Sequence, residues 1–152
     1  MLGAIIGDIV GSRFEFNPTN DYNFELFGEG CNYTDDTICT IAVADAILHE
    51  HKEHVLDLPF GEYIHKWCRK YPYPMGGYGI SFNKWIKSDH PQPYNSFGNG
   101  AAMRVSPVAW FYEDSFDVFS YAEDTAKCTH NHPEGIKGAQ VVAMPIKHGR
   151  II

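Results

Sequence analysis

Helical spacing of apolar side chains is the feature of this sequence that most restricts its fold. Between positions 60 and 71, apolar residues lie at offsets of three, four, seven, eight and eleven from the first, which places them on one face of an α-helix. They are Phe60, Tyr63, Ile64, Trp67, Cys68 and Tyr71. No segment of the sequence alternates apolar and polar residues as clearly as a strand would. The pattern predicts an all-α fold.

Further helices are predicted along the rest of the chain. A helix over about 35–49 follows Thr34, whose hydroxyl is placed to cap it. Other helical patterns cover about 2–10, 80–87, 101–111, 115–128 and 134–144. The stretches 71–79 and 88–100 are rich in Gly and Pro but carry interleaved aromatic residues, so we predict ordered turns there rather than linkers. With no internal repeat, the sequence predicts a single domain over 1–152.

Composition excludes several classes of function. The chain has 12 basic and 19 acidic residues, a net charge of −7 and no basic run, so no nucleic-acid patch is expected. Its longest apolar run is far short of the ~20 residues that span a bilayer, so no membrane partner is expected either. The four cysteines lack paired spacing, which favours a reducing, cytoplasmic location.

Four consecutive oxygen-bearing side chains, Thr34 to Thr37, open the helix predicted at 35–49. Hard oxygen ligands at this density suit Mg²⁺ or Ca²⁺. Acidic residues also stabilise the first turn of a helix through its dipole, and Thr is a common cap. Both a metal site and a purely structural helix start are therefore open interpretations of this motif.

A glycine turn, Gly98-Asn99-Gly100, runs into a small-residue segment that ends at Arg104. Backbone amides exposed by glycine at a helix start bind phosphate or diphosphate, although such turns are often only connections. Glu15, between two aromatic residues, is either an exposed loop residue or an acid at the mouth of a pocket. His130 lies in a turn that interrupts an apolar pattern and could aim its imidazole into a pocket.

Five segments, in their order along the chain, resemble the ADP-ribosylglycohydrolase family: GAIIGDIVGSRFEF, YTDDT, YPYPMGGYG, YNSFGNGAAMRVSP and THNHPEGIKGA. The resemblance runs from about residue 2 to about 144 and is to the N-terminal part of a family member only. It implies a multi-helix, Mg²⁺-dependent hydrolase that cleaves the glycosidic bond between ADP-ribose and an acceptor. The expected partner is an ADP-ribosylated protein or a small-molecule ADP-ribosyl substrate.

The resemblance also implies roles for particular residues. Metal ligands would be Thr34, Asp35 and Asp36, and the catalytic residues would be Glu15, acting on a water, and Asp35. Residues expected to contact the substrate are Ser96, Gly98, Asn99, Gly100, Met103 and His130.

The sequence departs from the family pattern at the metal centre. Family members hold two Mg²⁺ ions with the help of a second acidic motif toward the C-terminus, but no Asp follows Thr129 here. Three alternatives to a complete hydrolase follow: a protein that binds ADP-ribose and metal without turnover, a structural relative, or one piece of a site completed by a C-terminal chain or by a second copy. The last fits an apolar C-terminal surface comprising Val141, Val142, Met144, Ile146, Ile151 and Ile152.

Overall fold

The computed structural model describes residues 1–53 and 58–150, and its regular elements are helices. The α-helices are α1 (Leu2–Gly11), α2 (Asp35–Glu53), α3 (Phe60–Lys70), α4 (Ile80–Lys87), α5 (Ser106–Phe111), α6 (Ser115–Lys127) and α7 (Pro133–Gly149). Single 3-10 turns occupy Ser12–Phe14 and Asn99–Ala101. The described residues contain no strand, which confirms the predicted all-α fold. Within the same residues, no helix combines the length and apolarity needed to cross a membrane.

The core forms where α2 packs against α3 and α5, and where α7 packs along α6 and α5. Small side chains on α2, α6 and α7 allow these helices to approach closely, and larger side chains from α3 and α4 fill the remaining space. The fully enclosed core residues include Cys39, Ala42, Val43, Ala46, Ile64, Cys68, Val105, Val108, Ala109, Val118, Ala122, Ala126, Ala139 and Ala143. This packing fixes the start of α2 beside the loops that precede α5 and α7.

Side-chain caps begin three of the helices. The Thr34 hydroxyl accepts the Asp36 N–H at 3.2 Å, which confirms the predicted cap of α2. Asp114 accepts the N–H groups of two residues at the start of α6, and His132 Nδ1 accepts the Glu134 N–H at the start of α7. Each cap satisfies backbone donors that the helix itself leaves unpaired.

The prediction of one helix over 101–111 was wrong. The chain instead makes the 3-10 turn Asn99–Ala101, a further turn, and then the separate helix α5 from Ser106. Pro107 lies in the first turn of α5, where its missing N–H costs nothing, whereas a continuous helix would place it in the interior. The carbonyl of Met103, four residues before this proline, accepts the Thr40 hydroxyl at 3.4 Å instead.

The predicted end of the last helix near residue 144 was also wrong. Helix α7 continues through Pro145 to Gly149. Packing of α7 on both α5 and α6 compensates for the hydrogen bond that this proline cannot make. Arg150 then ties the helix end to α5 by donating from Nη1 to the Ala109 carbonyl at 2.7 Å.

Helix α1 is apolar and lies at the surface. None of its residues, all of which the structure describes, is buried; Leu2 is 71% exposed and Ile6 is 49% exposed. At Gly3 and Gly7 an added Cβ would meet nothing within 4 Å. Helix α1 packs chiefly against α2.

The predicted apolar C-terminal surface is confirmed in part. Val141 is 60% exposed and Val142 is 38% exposed. Met144 and Ile146 instead pack partly against the core. Ile151 and Ile152 lie outside the described residues.

Candidate functional site

A pocket of about 450 Å³ opens where the start of α2 meets the loops before α5 and α7. Seven of the residues predicted for the site line it: Asp35, Ser96, Gly98, Asn99, Gly100, Met103 and His130. Its wall is completed by Gly79, Ile80, Ser81, Phe82, Tyr94, Phe97 and Arg104. The structure thus brings together three segments of the chain, at Asp35, at 96–103 and at His130. Thr34 and Asp36 flank Asp35 beside the pocket rather than lining it.

The start of α2 is held by Asp8, a residue that the sequence analysis missed. Asp8 Oδ1 accepts the Thr34 hydroxyl at 2.6 Å, and Oδ2 accepts the Thr34 N–H at 2.9 Å. The same Oδ2 accepts the Thr37 hydroxyl at 2.5 Å and the Thr37 N–H at 3.2 Å. One carboxylate from α1 therefore orients both threonines that flank the two aspartates. The available signal was that Asp8 is the single charged residue within the otherwise apolar α1.

Negative charge is concentrated beside this helix start. Burial, followed by repulsion from Asp36, Glu15 and Asp8, raises the pKa of Asp35 to about 6. Burial and the charges of Asp8 and Glu15 also raise the pKa of Asp36. Among the side chains of residues 1–49 and 58–150, none of these four carboxylates forms an ion pair with Lys, Arg or His. An uncompensated cluster of this kind favours a bound cation.

The donor set fits a hard divalent cation in its chemistry. Asp35 and Asp36 offer carboxylate oxygens, which Mg²⁺ and Ca²⁺ prefer. The Thr34 hydroxyl donates to Asp8 and accepts from the Asp36 N–H, which leaves one lone pair for a metal. Among the described residues, no three acidic, His or Cys side chains are grouped closely enough to enclose an ion. Thr34, Asp35 and Asp36 thus offer oxygen donors at the start of α2 without enclosing an ion.

Glu15 lies just after the 3-10 turn at Ser12–Phe14 and against Gly76. A Cβ added to Gly76 would lie 2.5 Å from Glu15 Oε2, so this glycine leaves the space that the carboxylate occupies. Gly76 also has a φ of +77°, a backbone conformation that favours glycine. The turn 71–79 therefore contributes to the site by leaving room for the Glu15 carboxylate.

The glycine turn packs directly against His130. The Gly98 N–H donates to Ser96 Oγ at 3.2 Å, which closes the turn on itself. A Cβ on Gly100 would lie 2.8 Å from Cε1 of the imidazole. Because the ring is 5% exposed, it has little room to move aside. Glycine at position 100 is thus required for the close approach of the turn and the imidazole.

His130 is uncharged at neutral pH. Burial, and then the positive charge of Arg104, lower the pKa of His130 to about 4. Arg104 is itself completely buried and was not among the predicted site residues. The imidazole can therefore offer the pocket one donor or one acceptor, but no positive charge.

Lowering the pH from 7.5 to 5 is expected to reduce the contribution of His130 to stability by about 2 kcal/mol. The pKa of this ring is about 4 in the folded chain and 6.5 as its ordinary value. As the pH falls through 6.5, the unfolded chain takes up a proton at this ring and the folded chain does not, so the free energy of the unfolded state falls relative to that of the folded state. Urea unfolding at both pH values measures the effect.

A His130→Gln variant is the control for this pH effect. Asp35, with its raised pKa, acts in the opposite direction over the same range, because its folded form binds a proton more readily than its unfolded form. The relevant quantity is therefore the difference in pH dependence between the wild-type chain and the variant. Equal pH dependence in the two proteins would contradict a neutral, buried His130.

The fold and the site define a helical protein whose pocket joins an acidic helix start to a glycine turn and a neutral histidine. This chain belongs to the ADP-ribosylglycohydrolase family, whose model matches residues 1–149. It is 27% identical to ADP-ribosylhydrolase ARH3 of Xenopus tropicalis, over 97% of this chain and 48% of the relative. For ADP-ribosylhydrolase ARH3 of Homo sapiens the identity is 28%, over 96% of this chain and 47% of the relative.

A bacterial relative is also similar to this chain. ADP-ribosylarginine hydrolase Tri1 of Pseudomonas putida is 24% identical over 94% of this chain and 43% of the relative. The chain spans about half the length of the curated relatives it matches.

Proposed function

We propose that the pocket binds the ADP-ribosyl group of a protein or small-molecule substrate, and that the chain takes part in Mg²⁺-dependent hydrolysis of its glycosidic bond. The observation that carries this proposal is the convergence of Asp35, the glycine turn and His130 on one pocket. The names of the relatives, ADP-ribosylhydrolase and ADP-ribosylarginine hydrolase, support the same class of substrate.

The acidic helix start would hold the metal, with Asp35 and Asp36 as carboxylate ligands and Thr34 in support. When bound, Mg²⁺ supplies Lewis-acid polarisation of ligand oxygens and of a water. The lack of cationic partners for these carboxylates in the described part of the chain supports this assignment. The Gly98–Gly100 turn and Ser96 would contact the diphosphate, with Met103 and His130 completing the wall.

Glu15 would act as the base, with Asp35 assisting from the metal side. In the hydrolysis, water forms a bond to the anomeric ribose carbon as the bond from that carbon to the acceptor breaks. One water proton passes to the Glu15 carboxylate, the leaving acceptor takes up one proton from solvent, and Glu15 returns its proton to solvent, so the carboxylate is restored. The exposed position of Glu15 near both aspartates supports this role.

Release of ADP-ribose from arginine- and serine-modified peptides, with Mg²⁺ and with EDTA, tests the proposal. Wild-type chain is expected to release ADP-ribose only with Mg²⁺, and Glu15→Gln is expected to reduce release to the EDTA background. Glu29→Gln, an exposed acidic residue in the same loop region, is the matched control and should retain release. Release by the wild-type chain that is insensitive to both EDTA and Glu15→Gln would contradict the proposed chemistry.

Gly76→Ala is expected to slow ADP-ribose release about 10-fold relative to Gly77→Ala, because a small misplacement of a catalytic group has a large effect on rate. The two glycines have similar φ angles, +77° and +74°, so Ala imposes similar backbone strain at both. Only the Cβ at position 76 meets Glu15; at position 77 it meets nothing within 4 Å. Equal rates in the two variants would show that the position of Glu15 does not limit the reaction.

A binding function without turnover is the second candidate. It is favoured by the absence, among the described residues, of a group of three ligands that could enclose a metal. Calorimetry with ADP-ribose and Mg²⁺ tests it: affinity without release would support binding alone, whereas no affinity would remove this candidate.

We also propose that a helical segment, from a C-terminal chain or from a second copy of this chain, covers an apolar groove beside α1. The groove, of about 510 Å³, lies open between α1, α2 and α5 and is lined by Leu2, Leu48 and Trp110 among others. Light scattering separates the alternatives: a monomer that gains Mg²⁺-dependent release when mixed with the C-terminal half of a relative supports the C-terminal chain. Self-association would instead assign the groove to a second copy.

We also propose that the protein is located in the cytoplasm. All four cysteines are free, and the sulfurs of Cys39 and Cys68 lie 3.8 Å apart without a bond between them. Neighbouring thiols of this kind are typical of a reducing compartment.

A further inference from the structure

A buried chain of hydrogen bonds leads from Arg104 to His130. Arg104 Nη2 donates to the Thr125 carbonyl at 2.6 Å and to the Thr129 hydroxyl at 2.8 Å. Thr129 Oγ1 lies 2.8 Å from Nδ1 of His130. Arg104 and Thr129 are 0% exposed, so water does not compete for these bonds. These hydrogen bonds are therefore part of the rigid interior behind the pocket wall.

The need to pair the buried hydroxyl proton of Thr129 sets the direction of each bond. A guanidinium only donates, so the Thr129 hydroxyl accepts from Arg104 and keeps a second lone pair and its own proton. If Nδ1 of His130 donated to that second lone pair, the fully buried hydroxyl proton would have no acceptor among the hydrogen bonds of the described residues, whereas Nδ1 as the acceptor pairs it. An imidazole that accepts at Nδ1 carries its one proton at Nε2. The second ring nitrogen of His130 is thereby made a donor.

The Nε2 atom lies on the pocket side of the ring. It is 3.0 Å from the position of a Cβ on Gly100 and 3.8 Å from that of a Cβ on Gly98, both in the turn that lines the pocket. Tyr94, which also lines the pocket, packs beside the ring with its centroid 5.9 Å from that of the imidazole. A proton at Nε2 would therefore meet a ligand bound against the glycine turn.

We propose that Thr129, held by Arg104, is a positioning residue that fixes His130 in the tautomer protonated at Nε2, so that His130 donates a hydrogen bond to an oxygen of the ligand. This inference rests on the proposed function, since the oxygen would belong to a phosphate or the ribose of an ADP-ribosyl group. The alternative tautomer would present a lone pair at Nε2 and repel such an oxygen. We call the hydrogen-bonded series Arg104–Thr129–His130 the relay. The relay thus favours ligands that bring a hydrogen-bond acceptor to this part of the pocket.

Nitrogen-15 NMR of labelled histidine, combined with calorimetry against ADP-ribose, tests the relay. In the wild-type chain His130 is expected to show a protonated Nε2 and an unprotonated Nδ1. Thr129→Val keeps the side-chain volume but removes the hydroxyl, so we expect a mixture of tautomers and ADP-ribose affinity about 10-fold lower, as for one lost hydrogen bond. Thr129→Ser keeps the hydroxyl and should retain both the tautomer and the affinity.

The readouts separate failure of the relay from failure of the proposed function. A wild-type chain that binds ADP-ribose with Nδ1 protonated would overturn the relay alone. Unchanged tautomer and affinity in a folded Thr129→Val variant would also overturn it. If the wild-type chain binds no ADP-ribose, the proposed function and the donor role fall together, while the tautomer spectrum still reports on Thr129. Where the wild-type chain does bind ADP-ribose, titrations with ADP and with ribose show which oxygen accepts from Nε2 of His130. The probe that carries this oxygen should bind Thr129→Val more weakly than wild type, and the other probe should bind both equally.

Discussion

Replacing Gly135 with Ala is expected to lower the free energy of unfolding by about 3 kcal/mol. Gly135 is buried in the first turn of α7. A Cβ at this position would lie 2.6 Å from the carbonyl oxygen of Ser96 and 3.0 Å from that of His130. These are backbone atoms, so they cannot rotate away as a flexible side chain would. In the variant, the loop that carries Ser96 must therefore move away from α7. Urea unfolding measures the resulting loss in the free energy of unfolding.

Gly138→Ala is the matched control on the same helix. A Cβ at position 138 would meet nothing within 4 Å. Ala is the better helix former, so this variant is expected to be more stable than the wild-type chain by about 0.5–1 kcal/mol. Opposite effects from one substitution three residues apart would show that close approach of the Ser96 loop, and not helix propensity, selects glycine at position 135. Similar stabilities for the two variants would contradict that conclusion.

Asp8→Asn is expected to cost about 3 kcal/mol, since hydrogen bonds to a charged acceptor contribute roughly 1.5–3 kcal/mol each and are not additive. The carboxylate accepts four donors, two from Thr34 and two from Thr37. An asparagine amide has only one oxygen. Its NH₂ group cannot accept a hydrogen bond, so the N–H or O–H groups that face it would lose their acceptor. Urea unfolding measures the loss, and a weaker response to Mg²⁺ is expected because Thr34 and Asp36 lose their orientation.

Asp21→Asn provides the comparison for Asp8. Asp21 is exposed and accepts one local bond, from the Asn23 N–H at 2.9 Å. Its substitution is expected to change stability by less than about 0.5 kcal/mol. If both aspartates gave equally small changes, Asp8 would not be the residue that holds the start of α2.

The helices of this protein could be predicted from the spacing of apolar residues, because that spacing depends only on helix geometry. The effect of proline could not be predicted in the same way. Pro107 separates α5 from the preceding turn, whereas Pro145 lies inside α7. The difference depends on what packs against each segment, and no local pattern contains that information.

Some residues of the site and its surroundings could be predicted from the sequence, and others could not. The oxygen-rich helix start and the glycine turn are contiguous segments, so their composition alone made ligand binding one of two open interpretations, beside a structural role. Asp8, Arg104 and Thr129 were missed because each acts through a distant partner. Asp8 reaches Thr34 across 26 positions, and Arg104 reaches Thr129 across 25.

The sequence by itself determined the helical class, the family resemblance and the local segments that provide oxygen atoms and backbone amides. Period, turn chemistry and cap residues are short-range properties, and they are present before the chain folds. Only the tertiary structure decided which carboxylate orients the start of α2 and which tautomer His130 adopts. Those outcomes depend on burial and on hydrogen-bond partners, because a charge or a proton is stabilised by what surrounds it, and the surroundings exist only once α1, α2, α6 and α7 have packed.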